Sequence, residues 1–254
     1  MRLISRIGLV IGATLSVGAA QAAGTGASDE PLTQPHYHVG DSWVFERTSE
    51  AGQSGYRQDH IVLTVRQLGD GTMTVGIKAD GAPTAFEEHV VGTDWSQRRL
   101  IGSEESATTR PLSFPMKSGD SWSIDYVDPT QRGNQISDHV RRTYRVIGWQ
   151  EVSVPAGSFH AMVIEAKGVD EAEFSVPATV ASLVAATPGN ATSVSHAQQG
   201  GRRLVRQITH ARFFYVPETR NWVKSEEERF NTDDVLISRE TRQLTKFTLS
   251  DSHE

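Results

Sequence analysis

The chain of 254 residues contains no cysteine. That excludes disulfides, thiolate catalysis and cysteine-ligated zinc or iron–sulfur centres, and it removes the residue on which a bacterial lipid anchor is built. Long apolar runs are also scarce. After Ala20 no stretch approaches the roughly 20 apolar residues that a membrane-spanning helix needs. Positive charge is not in excess either. The formal net charge is −6, which argues against nucleic acid as a partner, because phosphate binding depends on clustered lysine and arginine. The sequence holds no G-x-S-x-G elbow, no P-loop, no G-x-G-x-x-G fingerprint and no H-E-x-x-H pair, so the common nucleophile, nucleotide and zinc signatures give no support to those chemistries.

The apolar run that does exist is N-terminal. Arg2 and Arg6 form a basic start, Ile7 to Ala20 is apolar, and Ala20-Gln21-Ala22 offers small residues for cleavage. This pattern predicts a bacterial signal peptide over 1–22 and a mature chain that is periplasmic or secreted. Its removal takes away two arginines and no acid, moving the net charge further negative. Residues 23–35, small and polar, read as a flexible leader.

From residue 36 to 250 the sequence predicts one β domain. "WVFERT" from Trp43, "HIVLTVRQL" from His60 and "MTVGIKA" from Met73 alternate with period two, the repeat of a strand with one buried face. Asp70-Gly71 between the last two is a hairpin signal. Pro155-Ala156-Gly157 separates two long alternating runs, and "PETRN" from Pro217 separates two more. Charged, alternating strands of this length are expected to be antiparallel. The expected fold is therefore all-β, mainly antiparallel, as an open barrel or strongly curved sheet. One stretch breaks the rhythm: 176–201 is rich in Ala, Ser and Thr. It reads as an inserted loop, a lid or linker, with a short helix over "ATVASLVAA" ended by Pro188-Gly189.

Gly-Asp-Ser-Trp occurs twice, at 40–43 and 119–122. Gly-Asp is a turn pair, and a tryptophan after it anchors the start of a strand. The competing reading pairs Asp41 with Asp120 as a two-carboxylate catalytic site. The structural reading is preferred, and the copies are expected to mark related halves of one sheet system.

Several landmarks taken together are familiar: "VGDSWVFE", "PLSFPMKSGDSWSIDY", "VSVPAGSF" at 152–159, and "FFYVPETRNWVK" at 213–224. The chain resembles a group of uncharacterised exported bacterial β-proteins, a domain of unknown function, that share G-D-x-W and V-x-V-P-A-G-x-F elements. The resemblance covers about Val39 to Phe247 without the insertion. Asn221-Trp222 stands where those proteins carry glycine before the last Val-Lys. It implies an antiparallel open barrel, loosely similar to lipoprotein-carrier half-barrels, and brings no catalytic residue with it.

The candidate sites are few. His36-x-His38 would point two imidazoles the same way on a strand, a weak metal candidate that lacks a third ligand. The arginine pairs Arg98-Arg99, Arg141-Arg142 and Arg202-Arg203 are expected to meet glutamates across wet strand faces, with an anion groove as the alternative. Five tryptophans are expected mainly in the core. Trp43, Trp122, Trp149 and Trp222 are the candidates for lining a binding cavity. No cofactor is implied. The function expected is a non-enzymatic periplasmic protein that binds an apolar or amphipathic envelope molecule. The alternatives are an envelope or sugar hydrolase with dispersed carboxylates, and a module that pairs its edge strand with another chain.

Overall fold

The computed structural model describes residues 30–52, 55–101, 104–129, 133–187, 190–198 and 200–250. The predicted signal peptide and the leader up to residue 29 lie outside them. Fourteen strands are formed: β1 Ser42–Ala51, β2 Gly55–Leu68, β3 Thr72–Ala79, β4 Glu87–Gly92, β5 Gln97–Ile101, β6 Glu104–Thr109, β7 Ser121–Asp128, β8 Gln135–Val154, β9 Gly157–Val176, β10 Thr179–Thr187, β11 Asn190–Gln198, β12 Gly201–Val216, β13 Asn221–Phe230 and β14 Leu236–Thr248.

Ten of them make one antiparallel sheet in the order β4-β3-β2-β1-β14-β13-β12-β9-β8-β7. From β7 the chain meanders to β14, and β14 then pairs with β1, from which a second meander runs to β4. The edges β4 and β7 do not meet, so the barrel is open, and the hairpin β5–β6 carries the chain from one edge to the other. Curvature shows in the contacts. Ala156, at the Pro155-Ala156-Gly157 turn between β8 and β9, donates its N–H to Leu244 of β14, although β12 and β13 lie between in the sheet. Arg99 of β5 pairs with Asp128 at the end of β7.

Period two becomes an inner and an outer face. Trp43 and Phe45 of β1, Ile61, Leu63 and Val65 of β2, and Met73 and Val75 of β3 are buried on the inside. The segment between β6 and β7 adds Leu112 and Met116, both with no exposed surface, and Met116 bridges to Leu32. Burying each such side chain contributes roughly 1.5–3 kcal/mol.

The insertion differs from expectation. Residues 179–187 form a strand, not a helix, paired over nine positions with 190–198. Alanine favours a helix in isolation. Here, however, the flanking strands are already in register at Val176 and Gly201, so the segment continues a ribbon instead of starting a helix.

Candidate functional site

Both halves of the inner face must be considered, because they are built differently. At one end aromatic side chains fill the space. Trp43, Trp95, Trp222, Tyr37 and Phe213 pack as tilted or edge-on neighbours, with ring centroids 5.1–6.3 Å apart. Such pairs add to the apolar burial itself. Three polar tips are used internally: Trp43 Nε1 donates to the Thr219 carbonyl at 2.7 Å, Trp95 Nε1 to the Tyr37 hydroxyl at 3.0 Å, and that hydroxyl to the Arg220 carbonyl at 2.9 Å, while Trp222 Nε1 is buried without a hydrogen-bond partner. Burial pushes the Tyr37 hydroxyl well above the ordinary tyrosine range. Of the four tryptophan candidates, Trp43 and Trp222 belong to this filled end. Trp122 is half-buried and stacks on Tyr144 at 5.6 Å. Trp149 stacks on the exposed ring of His160 at 5.0 Å. Trp122 and Trp149 thus stack on partners outside the Trp43–Trp95–Trp222 cluster.

The paired-carboxylate candidates also separate. Asp41 is fully buried and holds Arg220, the His38 N–H and the Ser250 N–H. Asp120 bonds the Lys117 N–H in a turn of its own. The imidazole of His38 sits against Arg220 Nη1 at 2.9 Å, while His36 is exposed. Among the described residues no group of three or more His, Asp or Glu has a metal-holding arrangement.

The other half of the inner face is polar. Reading inward positions across the strands, one row runs Ile124, Arg142, Gly168, Thr209, Arg229, and the next runs Tyr126, Val140, Asp170, Gln207. Arg142 has a side chain only 10% exposed and approaches Asp170 at 3.7 Å, an ion pair too long for a hydrogen bond. Arg142 Nε, Asp170 Oδ1 and Thr209 Oγ1 are all buried without a hydrogen-bond partner. The Thr209 hydroxyl lies close enough to favour the Asp170 carboxylate, but not in bonding geometry. Burial raises the Asp170 carboxyl above the usual carboxylate range, against the pull of Arg142 and Arg229. Burial likewise raises the Tyr126 hydroxyl, helped by Asp138 and Asp170.

Gly168 makes this arrangement possible. A Cβ there would lie 2.8 Å from the Arg141 carbonyl oxygen and 3.1 Å from Arg142 Cγ. The bare strand position lets Arg142 lie close along β9, the use to which a strand glycine is often put. Unpaired buried polar atoms are uncommon in native proteins and each costs about 1–3 kcal/mol. Three of them lie on neighbouring inward positions of β8, β9 and β12.

The outer face behaves as expected of wet strands. Arg141, Arg206 and Glu171 form a bridge, as do Arg202 and Glu173. A groove of about 570 Å³ crosses β9, β12, β13 and β14 there, but its Arg212–Glu165 and Arg239–Glu228 pairs already satisfy each other. The expectation for the arginine pairs therefore holds for Arg98, Arg141 and Arg202, whereas Arg99 pairs with the buried Asp128, Arg203 lies over the Phe174 ring and Arg142 turns inward. Sequence reasoning put Arg142 with Arg141 on a wet face and missed Asp170. The signal was present: Arg142 shares parity with Val140, Tyr144 and Val146, and Asp170 with Ala166 and Ala172.

Comparisons with known proteins assign no family. No protein-family model matches the chain. No curated protein matches it. Among solved structures, a predicted lipoprotein from Parabacteroides distasonis is 11% identical with a TM-score of 0.43, covering 86% of this chain and 100% of that one. A predicted exported protein with a YmcC-like fold from Bacteroides fragilis is 14% identical with a TM-score of 0.36, covering 86% and 99%. The hypothetical lipoprotein YmcC from Escherichia coli is 10% identical with a TM-score of 0.37, covering 88% and 92%. Similarity at this level assigns no role.

Proposed function

We propose that the chain is an exported, non-enzymatic envelope protein that holds an amphipathic molecule by a neutral, hydroxyl-bearing part at the Arg142–Asp170 seat. The observation that carries this reading is the set of unpaired buried atoms: a donor at Arg142 Nε, an acceptor at Asp170 Oδ1, and a hydroxyl at Thr209 that can be either. A ligand hydroxyl donates and accepts at once, so it suits both sides of a pair that stands too far apart to bond itself. A simple anion suits it less, since Asp170 and Glu227 share the same face. A wholly apolar ligand suits it least, because indole and phenol rings already occupy the apolar end. The export part of the reading rests on the N-terminal sequence. The side chains of the histidine–carboxylate pairs His139–Asp125 and His160–Glu151 are exposed, not buried in a cleft, which supports the binding reading.

The test is calorimetric titration of the signal-processed protein with octyl glucoside below its micellar concentration, beside dodecylphosphocholine and sodium decyl sulfate. Saturable binding of the glucoside is expected, with preference over both charged heads. Hydrogen bonds to a charged group contribute about 1.5–3 kcal/mol, so Arg142→Met should weaken binding roughly tenfold or more. Gly168→Ala, which displaces Arg142 without removing its charge, should weaken it too. No saturable binding, or equal binding by wild type and both variants, would overturn the proposal.

A further inference from the structure

The hairpin β10–β11 has a composition unlike the strands that carry it. It continues the β9–β12 ribbon beyond Val176 and Gly201, and it forms a two-stranded sheet joined to no other strand among the described residues. Its nine paired positions run from Thr179 opposite Gln198 to Thr187 opposite Asn190. Residues 176–201 contain no Asp, Glu, Lys or Arg, in a chain that is 22% charged. The adjoining ribbon is the opposite, with Glu171, Glu173, Arg202, Arg203 and Arg206 within a few residues of its base.

Such a hairpin is marginally stable alone in water. Each long edge offers a row of unpaired N–H and C=O groups, and sheet proteins usually guard such edges with charges, prolines or bulges. Here the two strands, 179–187 and 190–198, contain neither proline nor any Asp, Glu, Lys or Arg. A bilayer is a poor home for one ribbon, since every unpaired backbone group in hydrocarbon costs several kcal/mol. Another copy of the same hairpin suits it better. The molecule carries a net charge of −6, so two bodies repel each other, whereas two arms meet without any like charge.

We infer that β10 pairs antiparallel with β10 of a second copy of this chain, giving a four-stranded sheet about a two-fold axis. Centred on Leu183, this register sets Leu183 opposite itself, Ser182 opposite Val184, Ala181 opposite Ala185, and Thr179 opposite Thr187. Every position meets a small or apolar one. The same operation on β11, centred on Val194, would set Thr192 against His196 and Asn190 against Gln198, so β10 is the better edge.

The absence of cysteine supplies the test. In the signal-processed protein, Leu183→Cys places one thiol at the two-fold axis, where directly opposed positions bring Cβ atoms within about 4.5–5.5 Å. Mild oxidation should convert most of the Leu183→Cys protein to a disulfide dimer, while Thr192→Cys on β11 stays largely monomeric. Light scattering across protein concentration should show a wild-type dimer whose dissociation constant rises at least tenfold with Val184→Lys. Deleting 178–199 and joining the ends through Asn-Gly should leave a folded monomer, since β9 and β12 are already in register there. A wild type that stays monomeric at all concentrations would overturn the inference. So would equal cross-linking at 183 and 192, or a dimer that survives the deletion.

Discussion

The two Gly-Asp-Ser-Trp turns close in the same way and end at different depths. In the first, the Asp41 N–H bonds the His38 carbonyl and the Asp41 carboxylate takes the His38 N–H; in the second, Asp120 and Lys117 repeat both contacts. Gly40 and Gly119 have φ of +98° and +90°. Gly40 and Asp41 exchange bonds with Val65, as Gly119 and Asp120 do with Val146. Each tryptophan then donates its indole N–H to a distant carbonyl at 2.7 Å. The surroundings differ. Strand β1 lies between β2 and β14, whereas β7 is an edge. Asp41 therefore also receives Arg220 and the Ser250 N–H, and has no exposed surface. The same local device starts a strand in both places. Its contribution to stability is set by what packs against its far side.

That comparison can be broken most directly at the tryptophans. Trp43→Ala empties a fully buried position beside the Tyr37 and Trp95 rings and should cost about 3–5 kcal/mol. Trp122→Ala removes a half-buried ring stacked on Tyr144 and should cost only about 1–2 kcal/mol. Urea unfolding of both variants measures the difference, and equal losses would show that the two copies are equally structural. The aspartates come next. Asp41→Ala strips a buried carboxylate from Arg220 and leaves two N–H groups without their acceptor, a change of about 3 kcal/mol when one partner of a buried pair is lost. Asp120→Ala loses one turn bond and should cost below about 1 kcal/mol. If Asp120→Ala proved the more damaging, edge position would not be what separates the copies.

Much of the β framework was legible because period two does not depend on distant residues. The runs after Trp43, His60 and Met73 show their buried face directly, and Asp70-Gly71 and Pro155-Ala156-Gly157 show where the chain turns. The seat was less legible for a local reason. In "HVRRTY" the adjacent arginines look like one wet pair, yet neighbours on a strand face opposite sides, and only Arg142 falls on the parity of Val140 and Tyr144. The clasp of Asp41 by Arg220 lay beyond sequence reading altogether, because 179 residues separate the partners and no pattern announces the pairing. At 179–187 the helix that alanine propensity favours gives way to a strand, because the pairing of the flanking strands outweighs local propensity.

The smallest expected effect distinguishes the turns themselves from their surroundings. Both glycines occupy the left-handed region, so alanine at either should cost about 1–2 kcal/mol from backbone strain alone. A Cβ at Gly119 would meet nothing within 4 Å, while one at Gly40 would lie 2.6 Å from Ser250 Oγ. That hydroxyl is the free end of a short side chain and can rotate away, while the Ser250 bond to Asp41 comes from its backbone N–H and is unaffected. Gly40→Ala should therefore exceed Gly119→Ala by less than about 1 kcal/mol, and a double-mutant cycle with Ser250→Ala should erase the excess. A larger excess that survives Ser250→Ala would mean that the first turn is strained in a way the second is not, and the equivalence of the two copies would fail at the backbone.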